Sequence, residues 1–294
     1  MTEEKKIFAP NECSWKRWVL TTVAGLGLGI VLSSIIGAVV FVALDLSKGF
    51  LDPLKDMLVL LPPFAGLYIG MVLALKWIAK TSMKDFVFGV GGRHDKKQTL
   101  LISLLFAAGL AVTNLLGWKY IRFNSEVSPL ILIINTVVCL LFVWMQTTLE
   151  EIIFRGLFLR LACKNDLRLS KKSVFWGIVS SLLFMLSHGT NPEVTSQSAS
   201  QVVPMLLYYF LFAAFIYFAN IYFKSLMPGI IIHLLNNLLV FILLVPSTSA
   251  SGNVAFFVSS APVSGTDSVA SLLLTLLPVS VYMLVDYIKR RKKA

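Results

Sequence analysis

The chain alternates between long apolar stretches and short polar connectors. Most of the stretches are about 20 residues long, which is the length that an α-helix needs to cross the hydrocarbon core of a bilayer. They cover about residues 19–44, 57–79, 99–117, 130–162, 173–188, 203–223, 226–245 and 268–288. The pattern predicts an all-α, polytopic membrane protein with about eight transmembrane helices, built as a single integral membrane domain over residues 1–294.

Two of the predicted helices carry glycines spaced four residues apart. Gly25 and Gly29 lie in the first stretch, and Gly66 and Gly70 lie in the second. This small-xxx-small spacing places both glycines of a pair on one helix face, where it lets two backbones approach closely. We therefore expect close helix contact at these positions.

The composition agrees with a membrane protein. Hydrophobic residues make up 57% of the chain and charged residues 14%, with a mean hydropathy of +0.81, whereas soluble domains carry about 25% charged residues. The net charge of +11 could indicate a nucleic-acid partner. The basic residues, however, lie between the apolar stretches, where they suit membrane topology and lipid headgroups. We expect the lipid bilayer as a partner and no nucleic acid.

Positive charge is distributed unevenly across the predicted membrane. With eight spans both termini lie on one side, and 22 of the 26 Lys and Arg residues then fall on that side and 4 on the other. The side richer in Lys and Arg is the cytoplasmic one by the positive-inside rule. The sequence therefore predicts cytoplasmic N- and C-termini.

The fourth stretch contains charged residues at membrane depth. Glu150, Glu151 and Arg155 lie within it, and a charged side chain at the bilayer centre costs roughly 2.5–3.5 kcal/mol even on the low scales. Glu151 and Arg155 stand at i and i+4, the better orientation for an ion pair on a helix. Glu150 is rotated from Glu151 by about 100° and has no basic partner at i±3 or i±4. We expect one structural ion pair beside one carboxylate that remains to be explained.

Histidines on two other stretches are the next candidates. Of the three histidines, His94 lies in a basic connector and is expected to be solvated, whereas His188 and His233 lie on apolar stretches. His233 and Asn237 stand at i and i+4 and share one helix face. At about 1.5 Å per residue, Glu150 and these residues lie about 10–22 Å from the cytoplasmic ends of their helices. They can therefore share one layer, as a catalytic site, as a proton or ion path, or as separate packing residues.

These residues form three ordered motifs. Glu150-Glu151-x-x-x-Arg155 lies on the fourth stretch, Phe184-x-x-x-His188 on the fifth and His233-x-x-x-Asn237 on the seventh. In this order they resemble the motifs of the CPBP family, which contains CAAX prenyl endopeptidases and Abi-type bacterial members linked to bacteriocin processing or immunity. The resemblance covers about residues 144–245, within a motif-bearing core of about 130–245.

The resemblance implies an eight-helix intramembrane protease of the glutamate type. Carried over by position, Glu150 is the general base that activates water, and His188 helps to hold that water. His233 and Asn237 stabilise the tetrahedral oxyanion. The family pattern requires no metal ion or other cofactor.

The remaining motif residues receive supporting roles from the same resemblance. Glu151 and Arg155 organise the site, and Phe184 packs beside it. The implied substrate is a peptide or protein that is lipidated or associated with the membrane. A bacterial plasma membrane is the expected location.

Other functions stay open at the level of the sequence. A metalloprotease is one, because Glu plus two His can ligate a metal, although no H-E-x-x-H is present. A non-catalytic bacteriocin-immunity or scaffold protein of the same family is another. A proton-coupled transporter is a third, although no internal repeat is evident. The polar connectors 189–201 and 246–266 are candidate lids or simple linkers.

Overall fold

The fold is built almost wholly from helices, as the sequence predicts. The computed structural model describes residues 14–88, 96–163, 169–246, 254–260 and 264–291. His94 lies outside these residues, so its predicted exposure stays a prediction. The helices, in chain order, are α1 Trp15–Leu46, α2 Lys55–Leu60, α3 Pro63–Ala74, α4 Met83–Phe88, α5 Lys96–Leu116, α6 Pro129–Glu151, α7 Leu157–Cys163, α8 Lys171–Ser187, α9 Pro192–Thr195, α10 Ala199–Phe223, α11 Met227–Leu238 and α12 Gly265–Arg291.

Three short π-helical segments and two 3₁₀ turns extend these helices. The π segments are Leu75–Ala79 after α3, Ile152–Gly156 between α6 and α7, and Leu239–Leu243 after α11. The 3₁₀ turns are Asp52–Leu54 and Trp118–Tyr120. Two of the π segments therefore directly follow motif residues of the predicted site.

Six helices in the described part of the chain are long and apolar enough to cross a membrane. They are Trp15–Leu46, Asp52–Ala79, Lys97–Leu116, Pro129–Ala162, Ala199–Phe223 and Gly265–Arg290. They coincide with predicted spans one to four, six and eight. The protein is thus a multi-pass membrane protein.

The fifth and seventh predicted spans are shorter helices. Helix α8 has 17 residues and ends before the sequence Gly189-Thr-Asn-Pro192, because glycine and proline do not continue a helix. The helical run Met227–Leu243 is also short, since it ends in a π segment followed by a strand. Both short helices carry the histidines of the predicted site.

Helices α1 and α3 approach each other closely at their glycines. A Cβ atom added to Gly70 would lie 2.5 Å from the backbone nitrogen of Gly29. One added to Gly25 would lie 3.2 Å from the Cα atom of Met71. Larger residues cannot occupy such a contact, so the close helix contact expected from the glycine spacing is confirmed.

A small sheet, which the sequence analysis did not predict, joins two connectors. Strand β1 Ile121–Phe123 pairs antiparallel with β3 Phe257–Ser259, and β3 pairs parallel with β2 Leu244–Pro246. The register places Arg122 opposite Val258. Part of the connector 246–266, expected to be a lid or linker, is therefore a strand, while residues 247–253 and 261–263 lie outside the described residues.

Two of the apolar clusters contain residues beside the motifs. One contains Leu149 and Ile152 of the α6–α7 region, and the other contains Phe184 of α8, Phe212 of α10 and Ile232 of α11. The side chains of Glu151 and Arg155 are fully buried and that of His233 is 3% exposed. These groups are therefore largely removed from water.

Candidate active site

The acidic motif stands where a long helix changes its winding. Helix α6 ends at Glu151, and the π segment Ile152–Gly156 follows without a break. A π turn leaves a backbone carbonyl poorly bonded, and here the hydroxyl of Ser180 on α8 donates to the carbonyl of Phe154. Gly156 is needed at the end of the segment, because a Cβ there would lie 2.5 Å from the ring of Phe86.

The ion pair predicted within this motif is present. Arg155 Nη1 lies 3.2 Å from Glu151 Oε1, and both side chains are fully buried. The guanidinium carbon of Arg155 lies 4.2 Å from the centre of the Phe184 ring, in a cation–π contact. The positive charge is thus placed between a carboxylate and an aromatic face.

His233 stands between the two carboxylates. Its Nδ1 lies 3.0 Å from Glu151 Oε1, and its Nε2 lies 3.5 Å from Glu150 Oε2. An ionised carboxylate only accepts hydrogen bonds, so a ring nitrogen of His233 that faces one is suited to donate. With Arg155, the two carboxylates and the imidazole form one largely buried polar cluster.

Glu150 has two partners that the sequence analysis did not assign. The amide of Gln146, one turn earlier on α6, donates to Glu150 Oε1 at 3.1 Å, and His233 approaches the other oxygen. The sequence predicts no basic residue three or four positions from Glu150, and the folded protein adds Gln146 and His233 as its neighbours. The Glu150 side chain is 12% exposed, whereas Glu151 is fully buried. Glu150 is therefore the more accessible carboxylate.

His188 ends helix α8 and is oriented by that helix. Its Nδ1 lies 2.8 Å from the Phe184 carbonyl and 3.2 Å from the Ser187 hydroxyl. A carbonyl can only accept a hydrogen bond, so Nδ1 carries the proton and Nε2 of the neutral ring carries a lone pair. The hydrogen-bond partners of the His188 side chain in the described structure lie on its own helix.

Aromatic rings fill the space between the two histidines. The centre of the Phe184 ring lies 4.3 Å from that of His188 and 5.7 Å from that of His233. Phe212 meets the opposite side of this region, 5.5 Å from the His233 ring. Tyr209 stacks on His188, with ring centres 4.7 Å apart and planes 28° from parallel. Phe184 therefore packs at the centre of the motif residues.

Asn237 does not join the charged cluster. It lies one turn after His233 on α11 and is half-buried, and the polar contact of its side chain is with Asn236 at 3.5 Å. Helix α11 ends one residue later, and the π segment Leu239–Leu243 follows. In that segment the Phe241 carbonyl accepts a hydrogen bond of 2.8 Å from Asn135 of α6. The change of winding leaves Asn237 beside the site and without a contact to Glu150.

A second polar group lies behind His188 in the connector 189–201. The hydroxyl of Tyr209 donates to Glu193 Oε1, and the amide of Asn191 lies 3.0 Å from the same oxygen. Glu193 is in the short helix α9 and is the sole acidic residue of that connector. The sequence analysis missed this group. An acidic residue without a basic neighbour was the signal that pointed to it.

The motif residues do not converge in the manner of metal ligands. The described residues contain no group of three His, Cys, Asp or Glu side chains arranged to hold a metal ion. Phe184 lies near both histidine rings and occupies the space between His188 and His233. His233 therefore contacts the carboxylates, whereas His188 lies beside the backbone carbonyl of Phe184.

Comparison with known families identifies the motif-bearing part of the chain. Residues 132–239 match the family model described as type II CAAX prenyl endopeptidase Rce1-like. Searches of curated proteins and of solved structures found no match to the chain. The matched family is one of peptidases. Residues 132–239, which carry the three motifs, are therefore similar to the Rce1-like type II CAAX prenyl endopeptidases, in agreement with the resemblance to the CPBP family seen in the sequence.

Proposed function

We propose that this protein is an intramembrane endopeptidase in which Glu150 activates water for attack on a peptide bond. The observation that carries the proposal is the difference between two neighbouring carboxylates. Glu151 is fully buried and contacts Arg155 and His233, whereas the Glu150 side chain is 12% exposed and has Gln146 and His233 as its partners. One carboxylate is held in a structural ion pair, and the other is placed to exchange a proton with water.

Glu150 acts first as a base and then as an acid. It accepts a proton from water while the water oxygen attacks the carbonyl carbon, and a tetrahedral oxyanion forms. It then passes that proton to the amide nitrogen as the C–N bond breaks, which gives one carboxyl product and one amine product. General acid–base catalysis of this kind contributes about 10²–10⁴-fold to the rate. Gln146 donates to one carboxylate oxygen, and the second oxygen, which His233 Nε2 approaches at 3.5 Å, accepts the proton from water in this proposal.

Donors on α11 stabilise the oxyanion. His233, facing both carboxylates, carries a proton on Nε2 at 3.5 Å from Glu150 Oε2, close to where the new charge develops. Asn237 lies one turn further along the same helix, and its Oδ1 accepts a hydrogen bond of 3.5 Å from Asn236 Nδ2. We assign its amide nitrogen as a second donor to the oxyanion. Donors fixed in a dehydrated site stabilise developing charge more than exposed donors do.

His188 holds the attacking water. Its Nδ1 is engaged by the Phe184 carbonyl at 2.8 Å, so its Nε2 lone pair can accept a hydrogen bond from water. Its ring and that of His233 both pack against Phe184, with ring centres 4.3 Å and 5.7 Å from that ring, which supports this role. Water held between a basic carboxylate and this nitrogen has its own lone pair aimed away from both groups, towards a substrate carbonyl.

The proposed substrate is a peptide or protein segment that enters the site from the membrane. The matched family is named for cleavage of prenylated CAAX proteins, and we extend to this chain the preference for a lipidated segment. The fold alone does not imply this preference. The apolar clusters on both sides of the site suit a substrate with an apolar attachment. We further propose that both termini are cytoplasmic, in a bacterial plasma membrane.

Cleavage of a quenched peptide library, with one lipidated arm, tests the proposal. The purified protein is compared with Glu150→Gln and with Glu126→Gln, whose carboxylate is 76% exposed and lies outside the site. We expect cleavage by the wild type and by Glu126→Gln, none by Glu150→Gln, and no effect of a strong chelator. Loss of cleavage with the chelator would instead indicate a metalloprotease. A wild type that cleaves nothing, with a Glu150→Gln variant that still complements in cells, would indicate the non-catalytic immunity or scaffold function.

A further inference from the structure

The side chains of Tyr209, Glu193 and Asn191 form a hydrogen-bonded group next to His188, and this group takes no part in the chemical steps proposed above. Tyr209 of α10 stacks its ring on His188 at 4.7 Å and donates its hydroxyl to Glu193. Glu193 also accepts a hydrogen bond from Asn191 at 3.0 Å. Residues 188–193 therefore turn back on themselves. Glu193, at one end, accepts the hydrogen bond from Tyr209, and the ring of Tyr209 packs on His188 at the other end.

We propose that Tyr209 and Glu193 are positioning residues that fix the His188 ring for holding the attacking water. This inference rests on the proposed function, in which His188 is the water-holding residue. It also assigns a role to the connector 189–201. This segment is a wall of the site held by a carboxylate, and it is not a lid.

The need for such support follows from the position of His188. The residue is the C-cap of α8, with φ −99° and ψ 0°, so it lies beyond the last regular turn of its helix. Its side-chain hydrogen bonds, to Phe184 and Ser187, both involve Nδ1, so they do not by themselves fix the tilt of the ring about that nitrogen. A ring stacked at 28° from parallel restricts this tilt. Small displacements matter, because misplacing a catalytic group by about 1 Å can reduce the rate roughly 100-fold.

Tyr209 needs an anchor of its own in this environment. Its side chain is buried, and a buried hydroxyl without a partner is unfavourable. Glu193 supplies the acceptor, and Asn191 lies 3.3 Å from the same tyrosine hydroxyl and 3.0 Å from the carboxylate. Gln197 donates to the backbone carbonyl of Glu193 at 2.9 Å and closes the short helix. The groups of Glu193 and Asn191 that bond the Tyr209 hydroxyl are therefore held in place by hydrogen bonds of their own.

The kinetic test compares conservative and disruptive substitutions in the full-length protein. Tyr209→Phe keeps the ring and loses the hydroxyl, and we expect roughly tenfold lower kcat with KM unchanged. Glu193→Gln retains an acceptor oxygen for Tyr209 and should keep activity near the wild-type level, whereas Glu193→Ala should behave as Tyr209→Phe does. A residue with only a general structural role would lower the unfolding temperature instead of separating kcat from KM.

A matched control exists on the same helix. Tyr222 also donates its hydroxyl to a carboxylate, that of Asp286, at 2.7 Å. Tyr222→Phe therefore removes the same kind of hydrogen bond from α10 without touching His188. We expect its kcat to equal that of the wild type. An equal loss of kcat in Tyr222→Phe and Tyr209→Phe would overturn the assignment.

Combining substitutions shows whether Tyr209 acts through His188. In a His188→Ala background, Tyr209→Phe should lower the residual cleavage rate no further. A second loss of the same size in that background would overturn the proposal.

A spectroscopic measurement tests this inference independently of the proposed function. The chain has three histidines, so their labelled imidazole signals can be assigned by substitution. Loss of the stacked ring in Tyr209→Leu should move the His188 ring-proton signals downfield and leave those of His94 in place. Unmoved His188 signals would overturn the positioning role even if the protein cleaves peptides. Moved signals in a protein that cleaves nothing would support the contact while the protease proposal fails.

Discussion

The buried ion pair between Glu151 and Arg155 makes a quantitative prediction about stability. Replacing Arg155 by Met keeps much of the side-chain volume but removes the cation 3.2 Å from Glu151, and both side chains are fully buried. Breaking one partner of a buried pair typically destabilises a protein by about 3–5 kcal/mol, because the other charge is left uncompensated. His233 still faces Glu151 at 3.0 Å, so we expect the lower end, about 3 kcal/mol.

The same perturbation has a matched control on the surface. Arg122 and Glu126 also stand at i and i+4 with a separation of 3.3 Å, but their side chains are 66% and 76% exposed. Exposed pairs contribute about 0–1 kcal/mol, because water screens them and their side chains lose freedom on pairing. The two Arg–Glu pairs therefore have the same spacing and differ in burial, so comparing them measures the effect of burial on stability.

Thermal unfolding in detergent or nanodiscs measures the difference. At about 2–4 °C per kcal/mol for a chain somewhat smaller than this one, Arg155→Met should lower the unfolding temperature by roughly 6–12 °C and Arg122→Met by no more than about 4 °C. The double variant Arg155→Met with Glu151→Gln should recover a large part of the loss, since no buried charge is then unpaired. Equal small shifts for the two arginine variants would refute the reasoning.

Three further predictions concern a helix contact, the orientation of the proposed base, and topology. Gly156→Ala forces a Cβ into an aromatic ring and should destabilise the protein by about 1–3 kcal/mol, whereas Gly27→Ala, with no atom within 4 Å of the new Cβ, should change its stability by less than about 1 kcal/mol in the same unfolding assay. Gln146→Leu releases one oxygen of the proposed base and should lower kcat roughly tenfold while the unfolding temperature changes little; an unchanged kcat would contradict the orienting role of this amide. In a cysteine-free background, a membrane-impermeant thiol reagent added to intact cells should label Glu126→Cys and spare Lys16→Cys, and the reverse labelling would invert the predicted topology.

Local periodicity predicted part of the site correctly. Apolar stretches of helix length define the membrane helices because each can be recognised without knowing its neighbours. The Glu151–Arg155 pair was also predictable, since residues at i and i+4 meet on any helix. The same rule placed His233 and Asn237 on one face, but it could not specify which histidine nitrogen would meet which carboxylate.

Features that depend on distant partners escaped the sequence analysis. Strand β1 and strand β3 are three residues each and pair across more than 130 positions, so neither has a local signal. The π segments have no periodicity of their own, because a single extra residue per turn is set by the surrounding helices. Glu193 and Tyr209 are 16 residues apart and meet only through the fold of the connector between them.

The two π segments at the site also restrict how the helices can separate. Each widened turn exposes a carbonyl that a neighbouring helix must bond, as Ser180 of α8 does for Phe154 and Asn135 of α6 does for Phe241. These hydrogen bonds join neighbouring helices. One links α8 to the α6–α7 junction, and the other links α6 to the end of α11. Separating either of these helix pairs would leave a backbone carbonyl without a hydrogen bond in an apolar layer, where each such group costs several kcal/mol. A peptide that reaches Glu150 is therefore expected to enter between helices that are not joined by such hydrogen bonds, and α6, which carries both glutamates, is expected to move together with α8 and the end of α11.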